Sequence, residues 1–254
     1  DPEACLICNG YKDEEFVDLA LYATKIGIKC FIVIEMPSEI PLVLERAKKM
    51  NIKPNLGLRI KLSSRAGGHW SESWGDRSVF GLTVSQIVDA VDVLKNNNAL
   101  DCLKLLHYHL GSQIPNIRDI RGAASEACRI YCGLCAEGAE MRYLDIGGGL
   151  AVDYDGSHTN FSSSRNYSLD EYCADVIEVI MSILDEKEVP HPVIITESGR
   201  AIVAYYSVIL FNVLDMSTFE PQVIPDRKEV KKVHTMIQNL LDVHKSLTVK
   251  NMQE

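Results

Sequence analysis

Three short clusters in the sequence carry residue types that can do chemistry. Asp145-Ile146-Gly147-Gly148-Gly149 closes an apolar run. Consecutive glycines let backbone N–H groups approach an anion with no side chain in the way, so a phosphate cradle is the natural use and a ligand-free tight turn the plain alternative. His107-Tyr108-His109-Leu110-Gly111-Ser112 ends a second apolar run. Strand side chains alternate, so His107 and His109 share a face. A metal pair there lacks a carboxylate or third histidine at matching spacing. An imidazole stacked on a planar cofactor, with Ser112 donating to a phosphate, uses the same residues, and a core histidine with satisfied hydrogen bonds is the plain alternative. The third cluster, Val193-Ile194-Ile195-Thr196-Glu197-Ser198-Gly199-Arg200, puts a carboxylate and a guanidinium at the end of a third run. Glu197 can keep a ring nitrogen protonated, and Gly199 with Arg200 can complete an anion site; an ion pair between Glu197 and Arg200 would use them otherwise.

A dinucleotide fingerprint is disfavoured, because Val152 stands where its last glycine belongs and Asp153-Tyr154-Asp155 follows instead of an immediate helix. One ligand meets the demands of all three clusters: planar, phosphorylated and carrying a basic ring nitrogen. Pyridoxal 5'-phosphate is such a ligand.

The elements that must position these clusters form a repeated alternation. Apolar runs at Ala4 to Cys8, Lys29 to Ile34, Leu56 to Ile60, Leu103 to His109, Tyr143 to Ile146 and Val193 to Thr196 read as strands. Between them, Asp13 to Lys25, Ser38 to Met50, Thr83 to Lys95, Asn116 to Glu137 and Leu169 to Lys187 have helical period. Ser38 and Thr83 are N-cap types, and Ser168 to Glu171 resembles a capping box. Strands apolar on both faces and separated by helices predict a parallel sheet covered by helices. Polar or glycine-rich clusters at nearly every strand end (Asn9-Gly10, Glu35, Arg59 with Lys61, His109 to Ser112, Gly147 to Gly149, Glu197 to Arg200) favour an α/β barrel with its chemistry at the C-terminal mouth over an open doubly wound sheet. Six strands are counted where a (β/α)8 TIM barrel has eight, so the barrel is expected to be incomplete, with the remaining strands upstream of Asp1.

Two stretches break the rhythm. Leu62 to Ser78, with Gly67-Gly68, Trp70, Trp74 and Gly75, reads as a lid or a solvated loop. After Pro225, Val230, Val233, Ile237, Leu240, Leu241 and His244 recur at helical spacing, which predicts an amphipathic helix. Ala201 to Val213 is β-rich and is expected to leave the barrel.

The chain has 254 residues, 46% hydrophobic and 24% charged, with a formal net charge of −9. That composition excludes disordered and collagen-like classes, and the acidic balance argues against nucleic acid or an anionic membrane as partner. No apolar run reaches the roughly 18 to 20 residues of a membrane span, and no secretory signal is legible. The start at Asp1-Pro2-Glu3 without an initiator Met reads as a fragment of a longer polypeptide. Of the eight cysteines, Cys5 and Cys8 point to opposite faces of a strand, and Cys128, Cys132 and Cys135 share one face of a helix. Buried structural thiols are expected rather than a metal site.

The runs at Leu6 to Phe16, Leu105 to Ile120, Asp145 to Ser157, Tyr167 to Tyr172 and His191 to Val203 resemble the biosynthetic arginine decarboxylases of bacteria and plants, members of the alanine racemase-like, fold type III group. The resemblance covers about residues 4 to 215. It implies a partial pyridoxal-phosphate-binding barrel over residues 1–215, then a linker and the start of a helical insertion over 216–254. It implies decarboxylation of L-arginine to agmatine for polyamine synthesis, with other basic amino-acid decarboxylases (ornithine or diaminopimelate) or a non-catalytic regulatory homologue as alternatives. By resemblance, His109 stacks on the pyridine ring, Ser112 lies near the phosphate, Gly147, Gly148 and Gly149 form the phosphate loop, Glu197 meets the ring nitrogen, and Gly199 with Arg200 completes the phosphate side. Magnesium, a homodimer or higher homo-oligomer, and a cytoplasmic or plastid location are family associations. No lysine stands in the family's Schiff-base motif, and neither Lys61 nor Lys104 matches it. The chain by itself is therefore expected to bind the cofactor weakly and not to turn over.

Overall fold

The computed structural model describes residues 4–63, 78–217 and 235–247. It divides into two compact units, Asp1–Ser207 and Val208–Glu254. The first holds six strands: β1 (Cys5–Cys8), β2 (Lys29–Ile34), β3 (Asn55–Arg59), β4 (Leu103–His107), β5 (Tyr143–Asp145) and β6 (Val193–Ile195). They alternate with α1 (Glu14–Lys25), α2 (Glu39–Met50), α3 (Val84–Asn96), α4 (Ile117–Ala136) and α5 (Leu169–Glu186), and a short α6 (Gly199–Val203) follows β6.

The sheet is parallel throughout, and its strand order is β1-β2-β3-β4-β5-β6. A doubly wound sheet reverses its order at a switch point. Here the order never reverses, and right-handed crossovers then put every helix on the same face, so the sheet curls into an arc of a barrel as expected.

Each strand is apolar on both faces because each face has a core. Cys30, Ile32 and Ile34 pack with the helices, while Phe31, Val33 and Leu105 form a smaller inner cluster against Ile7, Tyr143 and Ile195. Gly57 makes room on that inner side, since a Cβ there would meet Leu105 Cδ2 at 2.7 Å and Val33 Cγ2 at 3.2 Å. Deleting a fully buried side chain such as Leu105 costs about 2 to 5 kcal/mol in such a core.

Helix starts follow the local chemistry. Asp13 accepts from Phe16 N–H at 2.8 Å, and Thr83 with Gln86 and Ser168 with Glu171 form complete capping boxes. Ser38 makes no side-chain cap, and Glu39 at the start of α2 instead reaches back to accept from Glu35 N–H at 2.7 Å. Cys128 and Cys132 are buried on one face of α4 as expected, and burial pushes the Cys128 thiol up to about 12. Cys5 and Cys173 are exposed instead.

The β-rich reading of Ala201 to Val213 is corrected. Residues 199–203 are helical and 207–217 have no regular structure. Among the described residues no strand pairs with this stretch, and propensity alone does not make a strand. In the second unit, α7 (Thr235–Ser246) carries Ile237 and Leu240 of the expected amphipathic helix. Val230 and Val233, and the proposed lid with Trp70 and Trp74, lie outside the described residues.

Candidate active site

The working side chains stand on the loops that follow β1, β4, β5 and β6, all at the C-terminal rim. Backbone hydrogen bonds carry the sheet pattern past the strand ends and align these loops: Tyr108 N–H to Asp145 O at 3.0 Å, Ile146 N–H to Ile195 O at 2.9 Å and Glu197 N–H to Gly147 O at 2.8 Å. Ile114 N–H adds a bond to Gly149 O at 2.9 Å.

This alignment brings His109, Gly148 and Glu197 together. A Cβ on Gly148 would stand 2.8 Å from the Glu197 carbonyl oxygen and 3.3 Å from His109 Cε1. Gly147, at φ +62, would place a Cβ 2.3 Å from Tyr108 O, and Gly149 would place one 2.8 Å from Gly111 O. The glycines are therefore required by close backbone crossing as well as by any ligand.

Gly148 N–H donates to His109 Nδ1 at 3.3 Å. An amide can only donate, so that ring nitrogen is an acceptor and the imidazole is neutral. The electrostatics agree: partial burial, then the Coulombic influence of Arg59 and His107, hold His109 down at about 4. Arg200 turns away from Glu197 and donates to Ser112 Oγ at 2.9 Å and Tyr154 OH at 3.2 Å. It thus ties the loops after β4, β5 and β6 together.

Glu197 Oε1 accepts from Asn9 Nδ2 at 2.8 Å. Beneath it lie His107 and Asp145, whose Nδ1 and Oδ2 are 3.0 Å apart at 1% and 0% side-chain exposure. Asp145 Oδ1 accepts from Gly147 N–H at 2.9 Å. Ligand atoms of His107, Asp145 and Glu197 all fall within 4.8 Å of one another. Burial and then the Asp145 carboxylate raise Glu197 above the ordinary carboxylate range. His107 and His109, paired by alternation, have separate roles here: His107 is buried against Asp145, and His109 faces the rim.

Sequence reasoning missed Asp145 and His107 as a pair and missed Asn9 as a partner of Glu197. It placed Glu35 and Arg59 at strand ends without joining them. Arg59 Nη1 is 3.0 Å from both oxygens of Glu35, and the guanidinium lies 5.2 Å from the Phe80 ring centroid. Gly10 N–H donates to the same carboxylate at 2.6 Å. Lys12, also at this rim, is buried against Glu39 at 3.3 Å and donates to Gly10 O. The signal that could have revealed these pairs is their shared place at strand ends, since residues ending neighbouring parallel strands meet.

Comparison with known proteins follows the same lines. The family model for the pyridoxal binding domain of pyridoxal-dependent decarboxylases matches residues 1–204. The biosynthetic arginine decarboxylase of Bacteroides thetaiotaomicron is 43% identical over 260 residues, covering 100% of this chain and 40% of that protein. That of Vibrio cholerae is 47% identical over 220 residues, covering 87% of this chain and 34% of that protein. The crystal structure of the biosynthetic arginine decarboxylase of Campylobacter jejuni superimposes with a TM-score of 0.70 at 30% identity, over 99% of this chain and 41% of that one. Diaminopimelate decarboxylase from Helicobacter pylori, complexed with L-lysine, shares the fold at a TM-score of 0.62 and 22% identity, over 78% of this chain and 45% of that one. The chain spans about 40% of the length of the first of these curated relatives.

Proposed function

The chain belongs to the pyridoxal-dependent decarboxylases, whose pyridoxal binding domain it matches, and on that premise we propose that its rim site holds pyridoxal 5'-phosphate and, in the full-length protein, serves the decarboxylation of L-arginine to agmatine and CO2. The observation that carries this reading is the meeting of His109, Gly148 and Glu197 at one point of the rim. The residues fit the coenzyme. A neutral imidazole offers a flat face for a ring. The Gly147 to Gly149 loop is a crossing in which no side chain has room. Ser112 and Arg200 supply a hydroxyl and a guanidinium for a phosphate, and Glu197 supplies an acceptor for a ring N–H.

When bound, the coenzyme supplies the electron sink that lets an α-carboxylate leave as CO2. The chain's own residues do the rest by placement and electrostatics. Glu197, as a carboxylate, would accept from the ring N–H and so favour the protonated ring nitrogen. His109 covers one ring face without bringing a competing positive charge. Arg200, fixed by Ser112 and Tyr154, would hold the phosphate end, and Gly199, where an added Cβ would meet nothing within 4 Å, keeps only the role that the resemblance implies.

Lys12 is engaged with Glu39 and Gly10, and this reading gives it no covalent role toward the coenzyme. Magnesium rests on the resemblance alone, and the group of His107, Asp145 and Glu197 is not offered as its site. That ion prefers an octahedron of oxygens, whereas the one metal-competent group among the described residues contains the His107 imidazole and needs Glu197, which the ring takes. A homodimer or higher homo-oligomer, and a cytoplasmic or plastid compartment, follow from the resemblance. Among the described residues no helix is long and apolar enough to cross a membrane.

The test is an assay of the full-length protein with arginine, ornithine, lysine and diaminopimelate, with Glu197→Gln alongside. Arginine should be preferred, and Glu197→Gln should lower turnover by about 100-fold or more while coenzyme affinity falls less than about tenfold. Preference for another amino acid would replace the substrate. Coenzyme binding without turnover of any of the four would favour a regulatory homologue.

A further inference from the structure

The buried side-chain polar atoms left without a hydrogen-bond partner among the described residues are Asn9 Oδ1, His107 Nδ1 and Asp145 Oδ2. All three belong to the residues that surround Glu197. The site's rim is therefore underlain by polar groups that the fold keeps dry without pairing them well, and such groups are expensive unless they act on something.

Neither His107 nor Asp145 can turn away. His107 is the last residue of β4, in register with Arg59 on one side and Asp145 on the other. Asp145 is held through its second oxygen by Gly147 N–H at 2.9 Å. Their facing atoms are 3.0 Å apart, and Glu197 completes a group within 4.8 Å. Charges this close and this poorly solvated act strongly on a neighbouring carboxyl. The titratable groups facing Glu197 are His107 from β4, His109 across Gly148, and Asp145 from β5; Asn9, from the loop after β1, donates a hydrogen bond and does not titrate.

We infer that the buried His107 and Asp145 pair is a positioning device for Glu197, in which Asp145 draws a proton onto the Glu197 carboxyl and His107 opposes it. The direction of each influence on Glu197 agrees, Asp145 raising its proton affinity and His107 lowering it. The balance between them decides how firmly Glu197 can hold a proton against a ring nitrogen; this last consequence rests on the function proposed above, whereas the coupling itself does not.

The experiment is a carboxyl-carbon NMR titration of full-length protein labelled at glutamate, with the Glu197 resonance assigned by its loss in Glu197→Gln. Asp145→Asn should move the Glu197 midpoint down by about one pH unit or more, and His107→Gln should move it up. A merely structural pair would shift both variants the same way or neither, and either result overturns the inference. Should Asp145→Asn fail to fold, the reciprocal effect decides. The His107 ring nitrogens in the wild type should show an inflection at the Glu197 midpoint, and this should vanish in the exposed substitution Glu197→Gln; persistence overturns the inference. The absorbance of the coenzyme-loaded protein, followed against pH, should keep the same order of variants. If the NMR order holds and the absorbance ignores it, the coenzyme reading fails and the coupling stands.

Discussion

Asn9 and Glu197 follow β1 and β6, the two outer strands of the sheet, and yet Asn9 Nδ2 lies 2.8 Å from Glu197 Oε1. The sheet curls far enough that side chains following its two outer strands meet at the C-terminal rim. The contact joins residues 188 apart in the chain, and it aims Glu197 while removing part of its hydration.

Asn9→Ala takes away the donor that favours the charged form of Glu197. The Glu197 midpoint should rise further, read by the same carboxyl titration. The melting temperature should fall only slightly, because the bond is exposed and worth about 1 kcal/mol.

Gly148→Ala must push a methyl against the Glu197 carbonyl. Backbone cannot yield as a flexible side chain does, so coenzyme affinity should drop by about tenfold or more and stability by about 1 to 3 kcal/mol. Gly147→Ala should be worse, since its φ of +62 adds strain to a 2.3 Å overlap with Tyr108 O. Coenzyme titration and urea melts check both.

His109 gives the fold a pH dependence with a definite sign. Its imidazole takes up a proton near 4 when folded and near about 6.5 when unfolded. Between those values the unfolded chain holds the extra proton, so stability is unaffected above the upper one and is lost as pH falls towards the lower. Denaturant midpoints at neutral and mildly acidic pH should converge less steeply in His109→Phe than in the wild type. An unchanged slope would mean that His109 is not held neutral.

Arg59→Met strands the fully buried Glu35 carboxylate, whose remaining donor is Gly10 N–H. A loss of about 3 kcal/mol is expected, the low end for breaking a buried pair, and Glu35→Gln in the same chain should restore part of it. Arg59 also helps to keep His109 neutral, so the His109 midpoint followed by NMR should rise in Arg59→Met.

Local rules made the scaffold legible. Period and capping chemistry placed α3 and α5 at Thr83 and Ser168, and two-sided apolarity announced a covered parallel sheet. The spread of polar residues over many strand ends separated barrel from open sheet. Local rules also failed where the chain closes on itself. Ser38 reads as a cap, but its side chain makes no cap bond, and Glu39 instead reaches back to Glu35. The segment after Ala201 has strand propensity and pairs with no strand among the described residues. For the site, His109, Gly148 and Glu197 were legible as types at run ends. The pairing of His107 with Asp145, and of Asn9 with Glu197, depends on which strands become neighbours and how far the sheet bends, and no window of sequence contains that.

The three-glycine turn has a meaning for anyone comparing relatives. Because Gly147, Gly148 and Gly149 are demanded by neighbouring main chain, a descendant that had abandoned the coenzyme would still need them to fold. Their retention is therefore a record of architecture, and the fate of His109, Arg200 and Glu197 is the better witness to whether a lineage kept its chemistry.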